Sequence, residues 1–389
     1  MRAVSVYAAG PEAPSSSPTS PQTRRLANAM VAPVTRVAAC HVSPIFLSAK
    51  KTTQKAIGLI ERAAAQKANL VVFPETYIPA FPVWSAVRAP TANHGFFRRM
   101  AEESIYAGGE EIREICAAAK ASNVMVSLGF SEKVDFSSGT LYNSNLLISS
   151  EGEPLLHHRK LVPTFFEKLT WAPGDGHGLR VAATRFGKIG NLICGENTNP
   201  LARYALMAQG EQIHISTWPA VWPTTRAEGP ARRRGADYDN VAANRIRAAG
   251  HCFEAKCYGV LCAGVLGEDA VDEVSGGSSH MRRVLRESQR GATMFLDPAG
   301  AELPGFTVDD ETGVREPARL LQDAEGILYA DLDVEDCIEG KQYHDVVGGY
   351  QRLDVFDLRV DTARKPPATF VSDGDAKLAR VQDGGGGRG

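Results

Sequence analysis

Four polar residues stand where apolar runs end, and each is of a type that a buried reaction centre can use. Glu75 closes "NLVVFPE", Lys160 sits in "HHRKLVPT", Glu167 follows in "FFEKLTW", and Cys194 closes "IGNLIC". A cysteine attacks as its thiolate; a nearby cation or helix N-terminus lowers its pKa, and a carboxylate can accept its proton. Cys194 lies just before a predicted helix, so Lys160 as the cation and Glu75 as the base would complete a nucleophilic centre. Gly195, next in the chain, leaves its backbone N–H unobstructed and able to face a developing negative charge. Taken singly, each residue has a plainer reading: a core thiol, a solvated basic pair with Arg159, a cap after Pro74, a surface turn beside Lys168.

The elements that must position these residues follow from periodicity. "VTRVAACHV", "TQKAIGLIERAAAQKA", "ANLVVFPE", "GEEIREICAAAKAS" and "VMVSLGF" alternate apolar runs with helical patterns, a β-α-β-α-β order. The helix predicted over 52–67 carries Ile57, Ile60, Ala63 and Ala64 at three- and four-residue steps, the stripe that packs on a sheet. The chain then turns strand-rich, with "LYNSNLLIS", "GLRVAATRFGKIGNLIC", "QIHISTW", "YGVLCAGVL", "ATMFLDPAG" and "GILYADLD" separated by turn-forming residues. Helices predicted over 200–209 and 237–249 interrupt that run. Reacting groups in α/β sheets gather at strand carboxyl ends, so the four residues are expected to share one pocket.

Composition narrows the partners. With 43 basic and 45 acidic residues and a net charge of -2, the chain carries no footprint for nucleic acid or an anionic membrane. No apolar run reaches the roughly 18 residues that span a bilayer, so a soluble chain is expected. Cys40, Cys116, Cys194, Cys252, Cys257, Cys262 and Cys337 are scattered as in a reducing compartment. The steps between Cys252, Cys257 and Cys262 do not match zinc-ligand spacing, and no metal is expected there. Paired arginines before the segment ending at Cys40 are similar to an export signal. Arg36 interrupts it, and "VTRVAACHVSP" reads as a first core strand that cleavage would destroy, so the expected location is cytoplasmic.

Residues 1–33 are rich in Ser, Pro and Ala and are expected to be a disordered extension. One domain is expected over 34–365 and a flexible tail over 366–389. Two segments read as surface insertions, 224–239 with Arg232, Arg233 and Arg234, and 267–291.

In combination the motifs are far more specific. The chain resembles the nitrilase branch of the carbon–nitrogen hydrolase superfamily in "VVFPETYIPAFPVW", "GTLYNSNLLIS", "HHRKLVPTFFEKLTWAPGDG", "GNLICGENTNPLARYALMAQGEQIHISTWPAVWP" and "EGILYADLD". That resemblance implies an α/β fold, a four-layer α-β-β-α sandwich, with a Glu-Lys-Cys centre, a second glutamate, and no metal or organic cofactor. Carried onto matching positions, Glu75 is the general base, Lys160 stabilises the tetrahedral intermediate, Cys194 is the nucleophile, and Glu167 orients the lysine or positions substrate. The implied reaction takes an organic nitrile to its carboxylic acid and ammonia through a thioimidate and a thioester. The implied assembly is a homodimer or a larger spiral. Alternatives are an amidase, carbamoyl hydrolase or cyanide-hydrating relative with the same residues, or a non-catalytic assembly or redox-sensing protein with Cys194 as sensor. Pocket candidates are Tyr77, Trp84, Trp171, Asn197, Thr198 and Trp218, with Glu196 holding the nucleophile turn.

Two departures stand out. The family usually has tryptophan after the nucleophilic cysteine, where this chain has Gly195 in "CGEN". Either the pocket is larger or a neighbouring aromatic fills the space. Near the C-terminus, "VGGY" places Gly349 where the family commonly has histidine, and 267–291 and 301–323 are insertions.

Overall fold

The computed structural model describes residues 34–222, 238–364 and 366–371. The expected extension over 1–33, most of the 224–239 insertion with Arg232, Arg233 and Arg234, and the tail from 372 lie outside the described residues. In chain order the first strands are β1 (Thr35–His41), β2 (Leu70–Val72), β3 (Met125–Val134), β4 (Ser137–Ile148) and β5 (Pro154–Arg159). β6 (Ala182–Thr184), β7 (Gly187–Ile193), β8 (Ile213–Trp218), β9 (Tyr258–Ala263), β10 (Thr293–Leu296) and β11 (Glu302–Leu303) follow. β12 (Gly305–Val308), β13 (Arg315–Ala318), β14 (Leu320–Leu321) and β15 (Gly326–Leu332) complete the set.

Side-chain alternation decides the layering. On β1, Val37 and Ala39 enter one core while Ala38 and Cys40 enter another, and β2 splits Leu70 and Val72 from Val71 in the same way. Strands buried on both faces must lie between two covering layers. One sheet runs β13-β12-β15-β1-β2-β3-β4-β5, with β1, β2 and β3 parallel to one another. The other runs β11-β10-β9-β8-β7-β6, with β7, β8 and β9 parallel and β14 on β10. Between the sheets, Val37, Ala39, Leu70 and Val72 pack with Ile189, Ile213, Ile215 and Val260.

Helices close the outer faces. α1 (Ala49–Ala65) presents Ala56, Leu59, Ile60 and Ala63 to the first sheet. Beyond α2 (Trp84–Val87) and α3 (His94–Glu103), α4 (Glu110–Ser122) covers the same face with Ile112, Ile115 and Ala119. On the far side, α5 (Pro200–Met207) sets Ala202 and Leu206 against Leu192, and α6 (Asn240–Ala255) sets Ala248 and Cys252 against Leu261. The architecture is the expected four-layer α-β-β-α sandwich. No helix among the described residues is long and apolar enough to cross a membrane.

Three elements differ from expectation. The 180–194 run folds as the antiparallel pair β6 and β7, turned at Gly187, where φ is +117°. Ile57 and Ala64 lie at the margin of the α1 stripe, only partly buried, because Ala56, Leu59 and Ile60 point more directly at the sheet. The 267–291 segment is not a surface insertion. It folds as α7 (Glu268–Ser275) and α8 (Ser279–Glu287), whose Val271, Val274 and Leu285 pack with Trp84 and Met100. Its charges ring the outside as pairs such as Arg286 with Glu268.

Candidate active site

Each site residue is delivered by a strand end or the loop beyond it. Glu75 follows β2 on a segment that presses on Gly129 of β3. A Cβ on Gly129 would lie 2.2 Å from the Pro74 carbonyl oxygen and 2.8 Å from Thr76 N, so only glycine permits this approach. Asn143 of β4 donates through Nδ2 to Glu75 Oε1 at 2.7 Å, and its Oδ1 accepts from Thr76 Oγ1 at 3.1 Å. Lys160, directly after β5, donates to Glu75 Oε1 at 2.7 Å and to Glu167 Oε2 at 2.6 Å. Glu167 lies on the 3-10 turn Phe165–Leu169, where its Oε2 also accepts from Thr164 N at 2.9 Å.

Cys194 opens a 3-10 turn, Cys194–Thr198, at the end of β7. Its sulfur and one oxygen from each of Glu75 and Glu167 lie within 4.8 Å of one another. All four side chains are buried, Cys194 the most accessible at 6%. The backbone is strained around three of them: Thr76, Phe165 and Cys194 itself have φ of +46°, +47° and +52°. Such a conformation costs on the order of 1–3 kcal/mol per residue and persists only where surrounding structure enforces it.

The electrostatics correct one expectation. Burial pushes the Cys194 thiol well above its usual value, Glu75 adds to this, and Lys160 offsets it only in part. The helix expected to help begins only at Pro200, and the Asn199 side chain accepts from Leu201 N and Ala202 N, so its first donors are already engaged. This direction favours the protonated thiol over a thiolate preformed by Lys160. Burial raises Glu75 to about 7, and Glu167 pushes the same way against Lys160. For Lys160, burial works against the charge, yet its pKa is held well above the ordinary lysine value, with Glu167 and Glu75 as the anionic partners it bonds. Glu75 Oε2 and Glu167 Oε1 have no hydrogen-bond partner among the described residues. The cluster can take one proton at Glu75 and hold a developing anion beside Lys160.

Glu196 touches the backbone on both sides of this centre. Its Oε2 accepts from Ile193 N at 2.8 Å and meets His158 Nε2 at 2.8 Å, while its Oε1 accepts from Leu161 N at 2.5 Å. One carboxylate thus joins the residue before Cys194 to the residue after Lys160. Behind the turn, Asn197 Nδ2 donates to the Cys194 carbonyl at 3.0 Å, and His214 Nε2 meets Asn197 Oδ1 at 2.8 Å. Glu211 anchors that chain, bonded to His214 Nδ1 at 2.9 Å and His251 Nε2 at 2.6 Å.

A recess opens beside the sulfur, lined among others by Cys194, Gly195, Trp218 and Trp222. A Cβ on Gly195 would lie 2.8 Å from Thr164 Oγ1, so a threonine hydroxyl occupies part of the space that glycine leaves. Of the expected pocket residues, only Trp218 is brought to this recess. Tyr77 lines a separate cavity that also takes in Glu75. Asn197 is engaged with backbone carbonyls, and Thr198 is exposed at the end of its turn. Trp84 and Trp171 pack in the apolar core, Trp84 on Phe96 at 5.2 Å and Trp171 with its Nε1 donating to Ser131. Sequence reasoning missed Asn143, Thr164, Trp222 and Arg247. For Arg247 a signal existed, because Asn240, Asn244 and Arg247 recur at the spacing of one helix face.

A carbon–nitrogen hydrolase family model matches residues 36–342. Over 351 residues the chain is 34% identical to a protein named nitrilase from Penicillium rubens, covering 88% of this chain and 99% of that one. It is 31% identical over 345 residues to an aliphatic nitrilase from Rhodococcus rhodochrous, covering 88% and 84%. Among solved structures, a carbon–nitrogen hydrolase from Helicobacter pylori G27 superposes with a TM-score of 0.58 at 21% identity, covering 79% of this chain and 92% of that one.

Proposed function

The chain belongs to the carbon–nitrogen hydrolase family, and within it we propose that the protein is a nitrilase, taking an organic nitrile to its carboxylic acid and ammonia. The observation that carries this reading is the buried Lys160 ammonium bonded to both Glu75 and Glu167 with the Cys194 sulfur beside them. The relatives named as nitrilases support the choice of a carbon–nitrogen triple bond.

With a resting thiol, deprotonation accompanies attack. Glu75 takes the Cys194 proton as sulfur bonds to the nitrile carbon, then passes that proton to nitrogen to give a thioimidate. Water activated by Glu75 adds to the same carbon, nitrogen is protonated, and ammonia leaves a thioester. A second water cleaves the thioester, releasing the acid and restoring the thiol, so two waters are consumed per nitrile. Lys160 and the Gly195 N–H stabilise the anionic centres, and a single donor of this kind is commonly worth about 3 kcal/mol. Glu167 holds Lys160 in place. If the tetrahedral intermediate expels sulfur before nitrogen, the product is an amide.

The test is ammonia release with product identification over aliphatic, arylacetic and aromatic nitriles, their amides, and cyanide. Nitriles converted to acids by the wild type and not by Cys194→Ala are the expected result. Turnover of amides alone would replace the nitrilase reading with an amidase one.

A further inference from the structure

Part of the wall of the recess beside Cys194 is built from donors. Helix α6 brings Asn240, Asn244 and Arg247 to it at i, i+4 and i+7, one face of the helix. The Arg247 guanidinium lies over the Trp218 ring, 4.5 Å from its centroid. Its Nε donates to the Ala243 carbonyl at 2.8 Å and its Nη2 to Asn244 Oδ1 at 2.7 Å, and the Tyr238 hydroxyl is a further neutral neighbour. The charge is thus held rigidly over an aromatic platform by neutral groups. No aspartate or glutamate lines the recess among the described residues.

Two further donors belong to residues of the same wall. Trp218 Nε1 and Asn244 Nδ2 are buried and have no hydrogen-bond partner among the described residues. Buried donors are nearly always satisfied, so each asks for an acceptor that the described chain does not supply. A fixed cation and two unpaired donors beside the nucleophile describe the complement of a carboxylate, and a planar guanidinium is the group best shaped to receive one.

We infer that the substrate seated on Cys194 is a small nitrile bearing a carboxylate, bound by Arg247 together with Trp218 Nε1 and Asn244 Nδ2. The choice of reacting group rests on the nitrilase reading above, and the carboxylate rests on the recess alone. Cys194 and Arg247 line the same recess, so few atoms separate the reacting carbon from the carboxylate. Arg247 is then a specificity-determining residue, distinct from the groups that handle the proton.

The experiment compares 4-cyanobutanoate with its methyl ester, the same nitrile without the charge. In the wild type, kcat/KM is expected to favour the acid by roughly ten- to hundredfold, the worth of one charge-assisted hydrogen bond. In Arg247→Gln the ratio falls to near one, and Arg247→Lys, which keeps charge but loses the planar fork, retains part of it. Calorimetric binding of both compounds to Cys194→Ala, with and without Arg247→Gln, reads recognition without chemistry. Preference for the ester, or a ratio indifferent to Arg247, overturns the inference. If the wild type turns over no nitrile, the nitrilase reading fails and binding decides the recess: tighter acid binding that depends on Arg247 upholds it, and equal binding overturns it.

Discussion

Glu75 has to be a base in one half of a turnover and an acid in the other, and its surroundings poise it between the two. Burial and Glu167 lift its carboxyl from an ordinary 4.5 to about 7, with Lys160 opposing. The folded protein therefore holds this proton more tightly than the unfolded chain. The ionised group costs stability progressively as pH rises from 4.5 through about 7, and that cost is complete above it. Glu75→Gln is expected to lower kcat by roughly 10²–10⁴-fold, yet to keep or raise Tm at pH 8, with any gain shrinking toward pH 5. Calorimetry at the two pH values checks it, and a loss of several degrees at pH 8 would contradict the poise. The acid limb of kcat/KM should titrate near pH 7, as a property of the coupled cluster. At this scale Glu75, Lys160, Glu167 and Cys194 were legible because each closes an apolar run with a reactive type. Asn143 and Thr164 were not, since a polar residue within a strand or before a turn carries no mark of the partner it meets across the fold.

Among elements, Glu196 ties the end of β7 to the end of β5 by accepting from Ile193 N and Leu161 N while paired with His158. Its carboxyl is held below the usual carboxylate range: burial alone would raise it, but His158 and the two N–H groups more than compensate. Glu196→Ala strands all three partners in the interior, and removing one member of a buried pair commonly costs about 3–5 kcal/mol. Urea unfolding should register that loss, together with a fall in kcat larger than any rise in KM, because the sulfur and the ammonium lose their common reference. A stable variant with unchanged kcat would show that the two strand ends are positioned independently. Periodicity announced most strands and the helices α1, α4 and α5. It failed for α7 and α8, whose switch from acidic to basic composition hides Val271, Val274 and Leu285.

For the whole molecule, the site exists because two sheets stack so that the loops after β2, β5 and β7 converge at one end. Ile215, fully buried between the sheets, holds that stacking without touching the cluster. Ile215→Ala should cost about 2–5 kcal/mol in chemical denaturation while the pH profile of the folded enzyme keeps its shape. Periodicity made a β-α-β-α-β order legible, and the four-layer sandwich was legible only through the family resemblance carried by the ordered motifs. The recess was not, because Arg247 meets Trp218 only once α6 has packed on the second sheet. The most direct test of the central claim is to mix the wild type with a turned-over nitrile, quench in acid within milliseconds, and map the adduct by peptide mass spectrometry. The expected result is an imidate or acyl mass on the peptide carrying Cys194, and neither adduct nor turnover in Cys194→Ala. Acid product formed with no adduct on sulfur, or turnover that survives in Cys194→Ala, would contradict it.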